Sequence, residues 1–322
     1  MKLYQVNEKL PYCVTRSQLA NLVIGQAGLS PKVLLVLKQE AIVWEYLGPG
    51  ARELTAEDDF NLAIREKIAR QLARFHALEP PVPRNRRRII AANVFDHWFE
   101  ESWLEAVKTD GHPLNEAAKR LNCSKLLTFT IEEIVAEMQL VKRLILGLEE
   151  SSSSSKIVFS HGDFNHSNIM LRGGGEKSDG KDEEEEVPEI LFLDFDFSAY
   201  FYRGFDIGHY FNDATQVESY DDNELISDAE MRDFVRWYLE EASSEVDSKT
   251  VDPEEELEAL LKESKLFVLF THWVGFIFCL FTAWIKFETD LPKAEEFLVS
   301  SRINFFFGEK FFCLQSYILM TI

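Results

Sequence analysis

Carboxylate and amide side chains stand at the ends of two apolar runs in the middle of the sequence. Asp163 and Asn168 follow the first run, Ile157–Phe159, and Asp194 follows the second run, Ile190–Leu193. The apolar runs predict two buried strands, and the polar residues lie where each strand would end. Oxygen donors that converge there, with no Cys or His cage beside them, suit a hard cation such as Mg²⁺.

The spacing of these residues meets the needs of phosphoryl transfer. That reaction requires oxygen ligands that hold Mg²⁺ against nucleotide phosphates, and a carboxylate that accepts the proton of the attacking hydroxyl. In the order His-x-Asp-x-x-x-x-Asn followed by Asp-Phe, the first Asp is the base, and the Asn and the second Asp are metal ligands. His161, Asp163, Asn168 and Asp194 fit that order. His161 and Asp206 are expected to support the catalytic loop through its backbone. The alternative is a pair of buried acids that cap turns.

A longer match begins at the second acidic position. Residues 194–208 read DFDFSAYFYRGFDIG, which resembles the second signature of the choline/ethanolamine kinase family, part of the protein-kinase-like superfamily. The resemblance covers about residues 2–310. It implies an α+β, protein-kinase-like fold with an incomplete N-terminal β lobe and hinge (1–47), a large, mainly helical catalytic lobe (48–310) and a tail (311–322). The implied activity is ATP- and Mg²⁺-dependent phosphorylation of choline or ethanolamine, the first step toward the corresponding phospholipids.

The same resemblance implies how the nucleotide is held. The backbone of the hinge at Glu45, Tyr46 and Leu47 would pair with adenine. Lys2 matches the family's phosphate-anchoring cation, and the acid that should pair with it from the next helix falls at about Ser17. The sequence therefore predicts a lysine anchor without its usual partner.

One part of a kinase fold is missing from the sequence. Kinase-like folds cover the phosphates with a glycine-rich hairpin, but only Gly25 and Gly28 precede the hinge. The chain would thus begin inside the third strand, and we expect it to bind ATP–Mg²⁺ weakly and to act slowly or not at all. A catalytically impaired kinase-like protein is one alternative. A small-molecule phosphotransferase with another substrate is a second, although the YRGFDIG segment disfavours the aminoglycoside type.

The substrate box implied by the resemblance is only partly present. A quaternary ammonium group needs aromatic faces and a nearby carboxylate. Asn165 stands where the family has Gln, Phe197 where it has Tyr, and Asp213 where it has Glu. The family's two late Trp residues fall at Gly275 and Phe278, with Trp273 nearby, so the choice between choline and ethanolamine stays open. The residues implied in substrate binding are Asn165, Asp196, Phe197, Asp213, Trp273 and Phe278.

Composition limits the partners and the compartment. A formal charge of −21 over 322 residues argues against nucleic acid as a partner, because nothing would neutralise its phosphates. The four cysteines are scattered without metal-ligand spacing, which is typical of free thiols in a reducing compartment. No apolar leader opens the chain, so a cytoplasmic location is expected. Kinases of this kind are often dimers, and a homodimer is therefore possible.

An apolar stretch, Leu266–Ile285, is long enough to cross a membrane. It is a single aromatic-rich segment that follows an acidic region, and the resemblance places a buried, substrate-lining helix there. A core helix is the favoured interpretation and a membrane span the alternative.

Other patterns predict the elements that position Asp163, Asn168 and Asp194, which together are called the acidic cluster. The first is an amphipathic helix at Arg16–Ala27, followed by a hairpin of Val33–Leu37 and Ala41–Leu47. Helical spacing runs from Asp58 to Leu78. The glycine-rich and acidic run Gly173–Val187 should be a disordered loop between the two catalytic strands. Further helices are predicted at Phe95–Lys108, Thr130–Leu148, Met231–Glu241 and Ala294–Phe307, with an acidic linker at Glu245–Glu258.

Overall fold

The computed structural model describes residues 1–4, 13–84, 135–136, 138–145, 156–173, 187–214, 228–244 and 252–286. The chain divides into two compact units. One consists of Met1–Asn85 and Ser154–Ser264, and the other of Arg86–Ser153 and Lys265–Ile322. All elements that carry the acidic cluster belong to the first unit.

The N-terminal part of the first unit contains a small antiparallel sheet. Strand β1 (Lys2–Leu3) pairs with β3 (Ala41–Trp44), which pairs in turn with β2 (Val33–Leu37). The turn between β2 and β3 places Gln39 at a φ of 62°, and the N–H of Glu40 donates to the carbonyl of Leu37. The predicted hairpin is confirmed, except that its second strand ends at Trp44.

Helix α1 (Val14–Gln26) confirms the predicted helix but not its predicted amphipathic character. Its buried face is mainly polar and includes Arg16, Ser17, Gln18 and Asn21. Gln18 donates to the carbonyl oxygens of Leu37 and Ala41, at 2.9 and 3.1 Å, and accepts the N–H of Gln39. Polar groups can be buried here because specific hydrogen bonds replace their contacts with water.

The long helix predicted at Asp58–Leu78 is divided into two. Helix α2 (Ala56–Asp59) is followed by β-region backbone at Asn61 and then by α3 (Leu62–His76). The side chain of Asn61 accepts the N–H of Ala63 at 3.0 Å, which caps α3 at its N-terminus. The apolar spacing in the sequence runs on through this region, but the extended backbone and side-chain cap at Asn61 separate α2 from α3.

The two predicted catalytic strands lie in two separate antiparallel sheets. Strand β5 (Ile157–Ser160) pairs with β8 (Ala199–Tyr202), while β6 (Ile169–Arg172) lies between β7 (Glu189–Phe192) and the short β4 (Arg52–Glu53). A 3₁₀ turn, His166–Asn168, leads into β6. The β6–β7 ladder extends to the pair Arg172 and Glu189, and residues 174–186 of the acidic loop lie outside the described residues.

Within the described residues, three helices follow the catalytic strands. Helix α4 (Arg203–Ala214) begins directly after β8, α5 (Asp228–Ser244) packs against α3, and α6 runs from Pro253 to Lys286. The predicted acidic linker is wrong from Pro253 onward, because that part belongs to α6. Three glutamates, Glu254, Glu255 and Glu256, occupy its first turn, where the helix dipole favours negative charge.

The apolar stretch within α6 is helical, and its first residues are buried. Five consecutive side chains, Leu266–Phe270, are at most 4% exposed. A helix that is apolar all round suits a protein interior. Within the described part of the chain, no helix has the length and apolar character needed to span a membrane.

Several predicted elements lie wholly or partly outside the described residues. The helices predicted at Phe95–Lys108 and Ala294–Phe307 and the tail at 311–322 lie outside the described residues. Of the helix predicted at Thr130–Leu148, positions 135–136 and 138–145 are helical. The proposed domain boundary near residue 47 stays a prediction.

An aromatic cluster fixes the strands beneath the catalytic loop. The ring of Phe75 on α3 stacks on Phe159 and Phe195, with centroids 5.6 and 5.9 Å apart, and meets Phe192 edge-on. It also lies 5.9 Å from the ring of His161. One side chain therefore contacts strands β5 and β7, the loop that carries Asp163 and the segment that carries Asp194.

Candidate active site

His161 is buried and hydrogen-bonded as a neutral imidazole. Its Nε2 donates to the carbonyl of Leu193 at 2.8 Å, and its Nδ1 accepts the N–H of Asp163 at 3.3 Å. Nδ1 cannot carry a proton while it faces that donor. Burial accordingly lowers the pKa of His161 below its ordinary value, although nearby carboxylates act in the opposite direction. The ring ties the loop that carries Asp163 to the segment that carries Asp194.

The lowered pKa of His161 predicts how the stability depends on pH. The unfolded chain takes up a proton near pH 6.5 and the folded chain only at lower pH, so this part of the stability is complete above about pH 6.5 and declines as the pH falls toward the folded pKa. We expect the melting temperature to drop by about 2–4 °C more between pH 7.5 and 5.5 in the unaltered chain than in His161→Gln. Equal drops in the two proteins, followed by circular dichroism, would contradict a neutral His161.

Asp206 supports the backbone of the catalytic loop from below. Its two oxygens accept the N–H groups of His161 and Gly162, at 2.6 and 3.0 Å, and the hydroxyl of Ser160 at 2.9 Å. The Nε2 of His76 donates the fourth hydrogen bond at 2.9 Å. Burial alone would raise the pKa of Asp206, but the hydrogen bonds from the His76 ring and the His161 N–H lower it below its ordinary value.

Gly162 is required at its position in the loop. Its φ is +84°, in the region that favours glycine, and a Cβ there would collide with the carbonyl group of Phe197. The hydroxyl of Ser198 donates to the carbonyl of His161 at 2.9 Å. The catalytic loop and the segment after Asp194 are therefore in direct contact.

Asp163 lies at the centre of a group of donors. The side-chain amide of Asn168 donates to its Oδ2 at 2.9 Å and to its backbone carbonyl at 2.8 Å. Asn165 donates to its Oδ1 at 3.0 Å. The Nε2 of His209 on α4 lies 3.6 Å from the same oxygen. These contacts orient a partly exposed carboxylate, which is the arrangement that a general base needs.

Asn168 and Asp194 have the donor atoms that a magnesium site requires. The nitrogen of Asn168 is committed to Asp163, so its side-chain oxygen is the atom left for a cation. The carbonyl of Asn168 accepts the N–H of Leu193 at 2.9 Å, which places Asp194 next to the same turn. Asp194 adopts a φ of 59° and is 48% exposed, so its carboxylate can reach a ligand. An amide oxygen and an accessible carboxylate fit Mg²⁺.

Lys2 lies between two carboxylates. Its Nζ is 2.7 Å from an oxygen of Asp194 and 2.6 Å from an oxygen of Asp196. Burial alone would lower the pKa of Lys2, but the hydrogen bonds to both carboxylates raise it above its ordinary value. The ammonium group is therefore charged and is held at the predicted metal ligand.

The hinge residues differ in what they can offer a ligand. The N–H of Glu45 donates to the carbonyl of Lys32 at 2.8 Å, so this amide is already used. The side chain of Glu45 accepts the N–H of Lys32 at 2.8 Å and lies 3.6 Å from Arg172. Tyr46 is 82% exposed. An adenine at the hinge would therefore use the Glu45 carbonyl and the backbone of Tyr46 and Leu47.

Of the expected substrate residues, Asn165 and Phe197 are described beside the catalytic loop. Asn165 contacts Asp163, and the Phe197 backbone lies against Gly162. Asp213 is in α4, but its side chain lies outside the described part. Trp273 and Phe278 belong to the second unit, where Trp273 is 9% exposed and Phe278 is half-buried.

Two residues near the cluster were missed by sequence reasoning. His209 falls one residue after the recognised signature and has no spacing that marks it. Ser17 was noted only as the position of a missing acid, yet its hydroxyl donates to Asp196 at 2.6 Å. An unusually polar helix was the available signal for Ser17, because buried polar residues require partners.

Known proteins resemble the chain in sequence. The family model for choline/ethanolamine kinase matches residues 7–305. A probable ethanolamine kinase of Arabidopsis thaliana is 26% identical over 242 residues, covering 74% of this chain and 55% of that protein. A human choline/ethanolamine kinase is 23% identical over 305 residues, covering 89% and 66%. The chain thus spans between half and two thirds of the length of these two relatives.

Solved structures resemble the chain in fold. A choline kinase from Cryptosporidium parvum superimposes with a TM-score of 0.60 at 15% identity, covering 98% of this chain and 83% of that one. An ethanolamine kinase of Plasmodium vivax gives 0.55 at 19% identity, covering 93% and 74%. These matches confirm the predicted α+β, protein-kinase-like fold.

Proposed function

Because the chain belongs to the choline/ethanolamine kinase family, we propose that it transfers the terminal phosphoryl group of ATP to the hydroxyl of choline or ethanolamine. The observation that carries the proposal is the cluster around Asp163. The partly exposed carboxylate of Asp163 is oriented by Asn165 and Asn168, beside a turn that presents Asp194 to a charged lysine. Phosphoryl transfer depends mainly on positioning and electrostatics, and this cluster supplies both.

Each residue around Asp163 has a separate role in the proposed phosphoryl transfer. Asp163 accepts the proton of the substrate hydroxyl as that oxygen attacks phosphorus. Asn168 and Asp194 would hold Mg²⁺, which supplies positive charge against the phosphates when it is bound. Lys2 offers an ammonium group to the phosphates from the neighbouring strand, and the hinge at residues 45–47 offers backbone groups to adenine. His161 and Asp206 keep the loop in the shape that this geometry needs.

An ADP-release assay with choline and with ethanolamine tests the proposal. Because only Gly25 and Gly28 precede the hinge, we expect slow release of ADP that depends on one of the two amino alcohols and on Mg²⁺. Release of ADP with another hydroxyl compound and with neither of these two would contradict the proposed substrate class. A preference for ethanolamine would agree with the absence of Trp at positions 275 and 278.

The metal assignment predicts a specific loss in Asp194→Asn. The variant should weaken the Mg²⁺-dependent part of ATP binding by at least about tenfold, because an amide replaces an anionic ligand. Calorimetric titration of ATP with and without Mg²⁺ separates this part from the rest. The matched control is Asp233→Asn on α5, an exposed carboxylate paired with Arg236. Equal binding with and without the metal in the unaltered chain would refute the assignment.

The location and the assembly state complete the proposal. A cytoplasmic location is supported by the scattered cysteines, and the described Cys13 is an exposed free thiol. The homodimer suggested by the resemblance stays a prediction, which sedimentation of the purified chain can test.

A further inference from the structure

The lysine of this site is held without an acid from the adjacent helix. Kinases hold the phosphate-anchoring lysine through an ion pair with a glutamate on the helix that follows it. The corresponding position on α1 is Ser17, whose side chain is neutral and fully buried. The Nζ of Lys2 instead contacts Asp196 at 2.6 Å and Asp194 at 2.7 Å. Both carboxylates come from the loop after β7.

Ser17 connects α1 to this ion pair through a chain of hydrogen bonds. Its Oγ donates to Oδ1 of Asp196 at 2.6 Å, while the other oxygen of Asp196 contacts Lys2. The hydroxyls of Tyr4 and Ser17 lie 3.0 Å apart. Because the single Ser17 proton goes to Asp196, Tyr4 must be the donor in that pair. These hydrogen bonds thus join the residue after β1, helix α1 and the loop after β7.

We propose that Asp196, oriented by Ser17, is the positioning residue that holds Lys2 for the nucleotide phosphates in place of a helix-borne acid. The inference rests on the proposed function. It gives Asp196 a different role from the substrate contact that the sequence suggested. Asp196 is only 7% exposed and both of its oxygens are engaged, whereas Asp194 is about half-exposed.

Two carboxylates for one ammonium group have a clear consequence. When Asp194 turns toward a cation, Lys2 would lose one partner but keep the other. Asp196 therefore lets Asp194 serve the metal without releasing the lysine. Ser17 restrains the Asp196 carboxylate, so a movement of α1 would change the position of Lys2.

An exchange of the acid between the loop and the helix tests the proposal. Asp196→Asn should weaken ATP–Mg²⁺ binding by about 10- to 100-fold, as expected for the loss of a hydrogen bond between charged groups. The same variant should raise KM for ATP and change KM for the amino alcohol little. Ser17→Glu combined with Asp196→Asn should recover most of the affinity, since a helix-borne glutamate would then hold Lys2. Asp233→Asn is the matched control and should change neither constant.

The outcomes separate the possible roles of Asp196. A raised KM for the amino alcohol with unchanged nucleotide affinity would show that Asp196 contacts substrate and would overturn the proposal. If the double variant is unstable, Lys2→Met, Asp196→Asn and their combination provide a second measurement. Additive losses of nucleotide affinity would overturn the proposal, and losses that do not add would support it. Binding is measured without turnover, so release of ADP with another hydroxyl compound and with neither amino alcohol refutes the proposed function alone.

Discussion

Replacing Asp163 by Asn should lower kcat by about 10³-fold and leave ATP–Mg²⁺ binding nearly unchanged. The amide has almost the same shape but cannot accept the proton of the attacking hydroxyl, and a positioned general base contributes about 10²- to 10⁴-fold. The backbone carbonyl of residue 163 would still accept the Asn168 amide, so the loop should keep its shape. One hydrogen bond should be lost, because Asn165 and Asn168 both donate to the carboxylate and an amide offers only one oxygen.

The measurement combines steady-state kinetics with calorimetric binding of ATP–Mg²⁺. Asp233→Asn on α5 again serves as the control for a change from Asp to Asn. A kcat within about threefold of the unaltered chain would remove Asp163 from the role of base, since general-base catalysis contributes at least about 10²-fold. A parallel loss of binding and turnover would indicate a structural role instead.

The second large effect is expected at Asp206, on stability. Asp206→Ala should lower the free energy of unfolding by about 3–5 kcal/mol, the usual cost of removing one partner from a buried charged network. The N–H groups of His161 and Gly162 would lose their acceptor, as would Ser160 and His76. Buried donors without partners account for much of this cost.

Thermal unfolding by circular dichroism measures this effect. A loss of that size corresponds to a melting temperature lower by about 10 °C. Asp206→Asn should have a melting temperature between those of the unaltered chain and Asp206→Ala, because the one oxygen of the amide can still accept some of the hydrogen bonds. The control is Asp233→Ala, whose carboxylate is 47% exposed, and it should change the melting temperature by little. If both alanine variants melt together, Asp206 does not support the loop.

The catalytic loop was predictable because its partners are close in sequence or lie in strands with a clear apolar pattern. Residues 161 to 168 lie in one short segment, and the two apolar runs show where the strands that precede Asp163 and Asp194 end. The order of residue types then indicates the chemistry. The β2–β3 hairpin was predictable for a similar reason, since its pairing is local.

The missed features depend on contacts between distant residues. Ser17 and Asp196 are separated by 179 positions, and no local sequence pattern predicts that their side chains are in contact. The buried face of α1 could not be predicted from the spacing of apolar residues, because most of its side chains are polar and are buried with particular partners. The break at Asn61 was missed for the opposite reason: one local hydrogen bond outweighed a long apolar repeat.

The aromatic cluster around Phe75 has a consequence for how the sequence can diverge. Its ring packs directly against those of Phe159, Phe192 and Phe195. Because protein interiors are densely packed, a change in the size of one of these side chains leaves a cavity or a clash unless a neighbour changes too. A smaller residue at position 75 should therefore survive only together with a larger one at a neighbouring position. A library randomised at these four positions and selected for folded protein should return such compensated pairs. Substitutions at positions 75, 159, 192 and 195 would then be correlated in evolution and not independent of one another.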